Sequence, residues 1–426
     1  MNPATPCDGM SSRAEVMNFL NEVSGRYPQA VSFASGRPAQ QFFRFDEMLA
    51  GLGLFVDRFG RERGLEADEA WALLAQYGPT NGIINTLVSR QIDIDHGVIA
   101  PPSQIVVTGG CQEALSLLVQ ILCLESNDVV LVRSPCYVGM TGAADLNQIE
   151  LLSVDAPDDA NLAQALRLGV EAAARAGKRP RVLYLVPDFD NPTGTVLTRS
   201  EREEIIDLCA REQIIVIEDN PYGMFRYDGE QVPSMYSLDA HGCVIFLGTY
   251  SKTLCPTVRV GFAVIPEQLF DGKRDGRDLV ARLSQAKSFV TVNTSQLTQA
   301  VVGSVLLAED CTLERRVAQA RDLYRSNRDH MLARLDKKFS RFGSQISWNR
   351  PEGGFFLTMR LPFAFGQREA EVCAGNYGVL VLPLSFFALD RSQDCSIRLA
   401  FSNVSHAQIE SGIDRLYSFV CDMLER

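Results

Sequence analysis

Lys252 stands in Thr249-Tyr250-Ser251-Lys252, directly after the apolar run Val244 to Leu247 and seven residues before Arg259. A lysine at the mouth of a strand, among hydroxyls and near a guanidinium, is placed where its amine is deprotonated easily enough to attack an aldehyde. Asp219 follows a second apolar run, Ile214 to Ile217. A carboxylate there can pair with a protonated pyridine nitrogen and make the ring an electron sink, and Tyr222 is within reach of the same ring if the turn folds back. Asn191, in Asn191-Pro192-Thr193-Gly194 after the run Val182 to Val186, offers an amide N–H to a phenolate-like oxygen, with Pro192 and Gly194 fixing the turn. In Thr108-Gly109-Gly110-Cys111-Gln112 a strand turns through two glycines into a helix. Exposed N–H groups and the positive end of the helix dipole make such a turn a phosphate cradle. Tyr137 follows the run Val129 to Val132 and can stack on a planar ring. Each feature alone is equally an ordinary turn, cap or packing residue.

The elements that carry these residues repeat from about residue 100 to 265 as an apolar β-branched run, a turn rich in Gly, Pro, Asn or Asp, and a helical pattern. The runs are Ile105 to Val107, Val129 to Val132, Val182 to Val186, Ile214 to Ile217, Val244 to Leu247 and Val260 to Val264. Cys111 to Leu124 and Arg199 to Arg211 are the clearest helices between them. This alternation predicts an α/β fold with a mostly parallel central sheet buried on both faces, and with ligands at the carboxyl ends of its strands. After roughly residue 270 the pattern changes to long charged amphipathic helices, clearest over Asp310 to Lys338, then strands near Gly354 to Arg360 and Ser396 to Ala400 and a helix from His406 to Arg426. We expect a large domain over 45–290 and a smaller α+β domain from 1–44 with 291–426.

Composition narrows the partners. The 426-residue chain has a formal charge of −11 and a pI near 5.0, which argues against nucleic acid or an anionic membrane and for small-molecule substrates. Eleven cysteines without a C-x-x-C pair read as reduced thiols, and the first twenty residues lack a signal-peptide pattern, so a cytoplasmic location is expected. Four scattered histidines suggest no metal site.

In their order along the chain these features resemble the class I/II aminotransferases of pyridoxal 5′-phosphate (PLP) fold type I, over nearly the whole sequence. The resemblance implies that Gly110, Cys111 and Gln112 hold the cofactor phosphate with Arg259, that Thr249 and Ser251 bind the cofactor as part of the element that carries the Schiff-base lysine, and that Tyr137 stacks on the ring. It also implies that Asn191 supplies its amide to the 3′-oxygen, Asp219 holds the ring nitrogen with Tyr222 beside it as a cofactor contact, and Lys252 carries PLP as a Schiff base. Lys252, Asp219 and Tyr137 are the implied catalytic residues. Gln76-Tyr77-Gly78-Pro79 resembles the segment whose tyrosine crosses to the neighbouring subunit's phosphate, implying a homodimer with shared sites. Ser396-Ile397-Arg398 resembles the strand whose arginine clamps the substrate α-carboxylate, as a planar fork suits. Two residues depart from the family pattern: Cys111 replaces a usual Ser, and Thr257 a usual Gly.

The opening Val31-Ser32-Phe33-Ala34-Ser35-Gly36-Arg37-Pro38 looks like the kynurenine/α-aminoadipate and aromatic aminotransferase branch, and Met17 to Glu22 is similar to dihydroxyphenylglycine-type enzymes. That segment implies substrate contacts from Gly36 and Arg37 beside Asn191 and Arg398, with an aromatic or aminoadipate-like L-amino acid as donor, a 2-oxo acid as acceptor and ping-pong kinetics. Two alternatives stay open at this point. PLP-dependent lyases, cyclases, oxidases and synthases share the scaffold. An effector-binding regulator does too, although such proteins carry a basic helix-turn-helix domain and only thirty residues precede Val31.

Overall fold

Apolar β-branched runs bounded by polar turns pair side by side once helices cover both of their faces. The protein is described by a computed structural model over residues 25–154 and 161–425, so the Met17 to Glu22 stretch lies outside the described residues. Seven strands form the main sheet: β1 (Ile105–Thr108), β2 (Asp128–Val132), β3 (Glu150–Ser153), β4 (Arg179–Leu185), β5 (Ile215–Asp219), β6 (Val244–Thr249) and β7 (Gly261–Val264). Their order is β1-β7-β6-β5-β4-β2-β3. Pairing is parallel from β6 through β5, β4 and β2 to β3, whereas β7 runs antiparallel to both neighbours. Every residue of β1, β2 and β5 is buried, as expected for strands covered on both faces. The edge strand β3 was not anticipated from sequence, because Glu150-Leu-Leu-Ser is partly exposed and has no β-branched run.

Helices α1 (Phe45–Ala50), α2 (Leu52–Arg61), α3 (Ala67–Leu74) and α4 (Asn85–His96) precede the sheet, and α5 (Cys111–Leu122), α6 (Val138–Leu146), α7 (Leu162–Arg175) and α8 (Arg199–Glu212) connect its strands. Thr198 and Glu201 form a capping box that starts α8, and Gln213 at φ 54° stops it. Then come α9 (Gly276–Val290), α10 (Gln296–Ala308), α11 (Glu314–Phe339), α12 (Gln367–Tyr377) and α13 (His406–Leu424). A second, antiparallel sheet runs β8-β9-β11-β10, from β8 (Ser347–Trp348), β9 (Phe356–Arg360), β10 (Leu382–Pro383) and β11 (Ser396–Ala400). Val31–Ser32 pairs with Val379–Leu380, and the Phe33 N–H and carbonyl continue this contact to Leu380 and Ala400 at 2.8 and 2.7 Å.

Two expectations change. The long helix begins at Glu314 rather than Asp310, because Asp310 and Cys311 take φ of 52° and 61° and turn the chain. Thr312 Oγ1 and the Leu313 N–H then tie that turn to Asp95 at 2.6 and 2.9 Å. Nor is every helix beyond residue 270 charged. Helix α10 carries no charge and is buried from Gln299 to Leu306; a Cβ on Gly303 would lie 2.5 Å from the Phe55 ring of α2. No disulfide joins the ten described cysteines, and no described helix is long and apolar enough to cross a membrane.

Candidate active site

The carboxyl ends of β4, β5 and β6 open into a cavity of about 290 Å³ lined by Tyr184, Asn191, Asp219, Lys252 and Arg398. Tyr137 enters from the start of α6, Cys111 and Gln112 from the start of α5, and Gly36 and Arg37 from the N-terminal segment.

Lys252 sits in the turn after β6. The preceding hydroxyls brace that turn, with Thr249 Oγ1 3.1 Å from Ser251 Oγ and 3.2 Å from the Ser251 N–H. Tyr250 anchors it from below, fully buried, its N–H donating to Val260 O at 3.1 Å. Among the described residues, Lys252 Nζ hydrogen-bonds only Gly36 O, at 3.3 Å. Burial, then the nearby guanidinium groups of Arg398 and Arg259, lowers its pKa to about 8, with Asp219 pulling the other way. A much larger share of amine is therefore neutral near pH 8 than for a solvated lysine.

Asp219 ends β5. Tyr184, one strand over on β4, donates its hydroxyl to Asp219 Oδ2 at 2.9 Å, while Asp219 Oδ1 is buried without a hydrogen-bond partner among the described residues. Burial raises the Asp219 pKa to about 6, opposed by the Tyr184 hydroxyl, then by the nearby Cys111 thiol and the Lys252 charge. An orphaned carboxylate oxygen facing a cavity calls for a cationic or N–H partner there.

The glycine turn lies opposite. Gly110 takes φ 87°, and a Cβ on it would be 2.5 Å from Arg259 Nη2, so only glycine lets the guanidinium come this close. Arg259 donates to Gly109 O at 3.1 Å and to Ser251 Oγ at 3.3 Å. The N–H groups in the first turn of α5 have no carbonyl of their own helix to bond. Gln112 Nε2 donates to Gly139 O at 3.1 Å, and a Cβ on Gly139 would collide with both Gln112 and the Tyr137 ring. Of the two departures, Cys111 turns its thiol to Gly248 O at 3.4 Å, and burial raises its pKa, so it stands there as a neutral thiol. Thr257 is exposed in the one-turn helix Pro256–Val258, directly before Arg259 at φ 47°.

Arg398, on β11, is 5 % exposed. Its Nη1 donates to Asn191 Oδ1 and its Nη2 to Ala34 O, both at 2.7 Å, which leaves Asn191 Nδ2 to donate elsewhere. The guanidinium stacks between Phe356 and Phe387 at 4.2 and 4.8 Å from the ring centroids, and its Nε is buried without a hydrogen-bond partner among the described residues. No carboxylate among the described residues pairs with it, and burial lowers its pKa to about 10. Gly36 packs so closely that a Cβ would be 2.3 Å from the Phe356 ring. Tyr222 is buried edge-on to Phe355 and Phe356 at 5.1 and 5.9 Å.

Every cofactor- or substrate-contacting residue expected from sequence lines this cavity except Gly110, which packs against Arg259, and Tyr77. Tyr77 is 82 % exposed on the outer surface, in a turn held by Gln296 Nε2 on Gln76 O at 2.5 Å. Sequence reasoning missed Tyr184, Phe356 and Phe387. The Gly353-Gly354-Phe355-Phe356 run was a usable signal for Phe356, since a Cβ on either glycine would strike Phe189. Tyr184 has no such signal, because its reach to Asp219 depends on the parallel register that sets it beside Ile217.

These residues fit a phosphorylated pyridine aldehyde: an easily deprotonated amine, an orphaned buried carboxylate oxygen and an N–H cradle with its arginine face one space. The family profile described as "Aminotransferase class I and II" matches residues 79–416. The chain is 34% identical over 404 residues to (S)-3,5-dihydroxyphenylglycine transaminase of Amycolatopsis orientalis, covering 95% of this chain and 91% of that protein. It is 27% identical to aromatic-amino-acid aminotransferase 1 of Thermococcus litoralis, covering 93% and 89%. The α-aminoadipate aminotransferase of Thermus thermophilus, solved with N-(5′-phosphopyridoxyl)-L-leucine, superposes with a TM-score of 0.78 at 26% identity, covering 98% and 96%.

Proposed function

We propose that this chain, which belongs to the aminotransferase class I and II family, moves the amino group of an aromatic or aminoadipate-like L-amino acid to a 2-oxo acid. The enzyme is a PLP-dependent aminotransferase of fold type I. When bound, PLP supplies an aldehyde that condenses with amines and a ring that takes up the electron pair left at the substrate α-carbon.

The observation that carries the residue assignment is that Lys252, the orphaned Asp219 Oδ1 and the carboxylate-free Arg398 face one cavity. Lys252 holds the cofactor and, once displaced by substrate, takes the α-proton with its neutral amine. Asp219 keeps the ring nitrogen protonated, positioned by Tyr184. Asn191 Nδ2 and Tyr222 serve the ring oxygen, and Tyr137 covers the ring face. Gly110, Cys111 and Gln112 offer backbone N–H groups to the phosphate, with Arg259, Thr249 and Ser251 closing it. Arg398 takes the α-carboxylate in its planar fork. Arg37, exposed on the rim with its backbone held by Ser402 Oγ at 2.7 Å, is left to meet distal oxygens of the side chain. The aromatic walls Phe356, Phe387 and Tyr222 and the names of the relatives support the substrate class. Its reduced cysteines suit a cytoplasmic enzyme.

The test is a half-reaction. Purified enzyme given an amino donor and no acceptor should release one 2-oxo acid per chain and stop until a second 2-oxo acid is added. Continued release without acceptor would instead assign a lyase or synthase. Arg398→Ala should lower kcat/KM for amino acids by about two to three orders of magnitude, the usual cost of truncating one partner of a buried charged contact. Simple amines without a carboxylate should react as with wild type; an equal loss for both would remove Arg398 from carboxylate binding.

We also assign a homodimer in which Tyr77 reaches the partner's phosphate. Exposed apolar side chains support this: Tyr77 at 82 %, Phe289 at 84 % and Leu297 at 55 %. An inactive Lys252→Ala chain mixed with an inactive Tyr77 variant, under verified subunit exchange, should regain activity, because one site of the mixed dimer keeps both native residues. No recovery although both parents fold and dimerise would place Tyr77 within its own subunit.

A further inference from the structure

Beneath the glycine turn lies a buried ion pair that the reaction does not use. Glu113, at the third position of α5, reaches back so that its Oε2 accepts the Gly109 N–H at 2.6 Å. The carbonyl of the same residue accepts from Arg259, so the Gly109 residue is held at both ends. Lys287, on α9, is fully buried and donates to both carboxylate oxygens of Glu113 at 3.1 and 2.9 Å and to Thr291 Oγ1 at 2.9 Å. The Glu113 side chain is itself only 9 % exposed.

The charges pose a physical problem. A carboxylate one peptide from an anion cradle is well placed as a backbone clamp but repels the anion, and burial weakens the solvent screening that would otherwise hide it. An ammonium beside that carboxylate removes the repulsion without removing the clamp. We propose that Lys287 is a positioning residue for cofactor binding: by neutralising Glu113 it lets that carboxylate hold Gly109 in the phosphate-binding conformation without opposing the phosphate. The inference rests on the assignment of the glycine turn to the cofactor phosphate.

The pair predicts an asymmetry that a purely structural bridge does not. Apo-protein is titrated at pH 8 with PLP and with pyridoxal, which has the same ring and aldehyde but no phosphate, and the ratio of the two dissociation constants isolates the phosphate contribution. In Lys287→Met the preference for PLP should fall about tenfold or more, the effect of one uncompensated charge near an anion in a poorly screened site, while pyridoxal affinity is unchanged. Adding Glu113→Gln, whose amide oxygen still accepts the Gly109 N–H, should restore the preference. An unchanged ratio in Lys287→Met, or equal weakening of both ligands, overturns the inference. If Lys287→Met does not fold, Glu113→Gln alone decides: it keeps the cation and should hold or raise the preference for PLP, and a fall overturns the proposal. Wild-type protein that binds both ligands alike would instead overturn the phosphate assignment of the glycine turn, and the inference with it.

Discussion

Lys252→Ala should abolish transamination and leave no cofactor linkage that borohydride can reduce, while PLP can still bind without a covalent bond. The expectation follows from where the amine lies: in the cavity, hydrogen-bonded to Gly36 O, with its pKa lowered to about 8 by burial and two guanidinium groups. A folded state that lowers a lysine pKa favours the neutral amine. The rate at which wild-type apo-protein captures PLP should therefore rise with pH up to about 8 and then level off, where a solvated lysine would keep gaining well beyond it. Peptide mass spectrometry of reduced enzyme reads the site directly, and an adduct on any other lysine would sink the assignment.

Asp219→Ala should lower turnover by several orders of magnitude, each tenfold loss corresponding to about 1.4 kcal/mol of transition-state stabilisation. The carboxylate costs the apo-protein free energy, since burial raises its pKa to about 6 and one oxygen has no hydrogen-bond partner among the described residues. A protonated ring nitrogen at Oδ1 would satisfy both demands, and its loss would leave the developing negative charge on the substrate without a sink. Tyr184→Phe should do less harm, because it removes only the hydroxyl that orients Oδ2. The measurement is single-turnover release of 2-oxo acid. Near-normal turnover in Asp219→Ala would show that the electron-sink contact lies elsewhere.

Local chemistry was sufficient to read much of this site. Asp219, Asn191 and Lys252 each end or follow an apolar run, and in a parallel sheet such residues converge at one edge whatever the strand order. The glycine turn was equally legible, because only a residue tolerant of φ 87° can bring Arg259 against the start of α5. The boundaries of the helix at Glu314 and the uncharged, buried α10 were not, because positive-φ turns at Asp310 and Cys311 and packing against Phe55 are outcomes of tertiary contact.

The sequence by itself determined the fold class, because the alternation of apolar runs, turns and helical stretches is local and survives into the folded chain, and its resemblance to the class I/II aminotransferases pointed to PLP. Tertiary structure decided which partner each group finds. Tyr184 reaches Asp219 only through the register of β4 on β5, and Arg398 is caged by Phe356, Phe387 and Ala34, which lie far apart along the chain. Lys287 meets Glu113 across 174 residues. Such contacts depend on how helices and sheets pack and on the low dielectric they create, and neither is written in the spacing of any one motif.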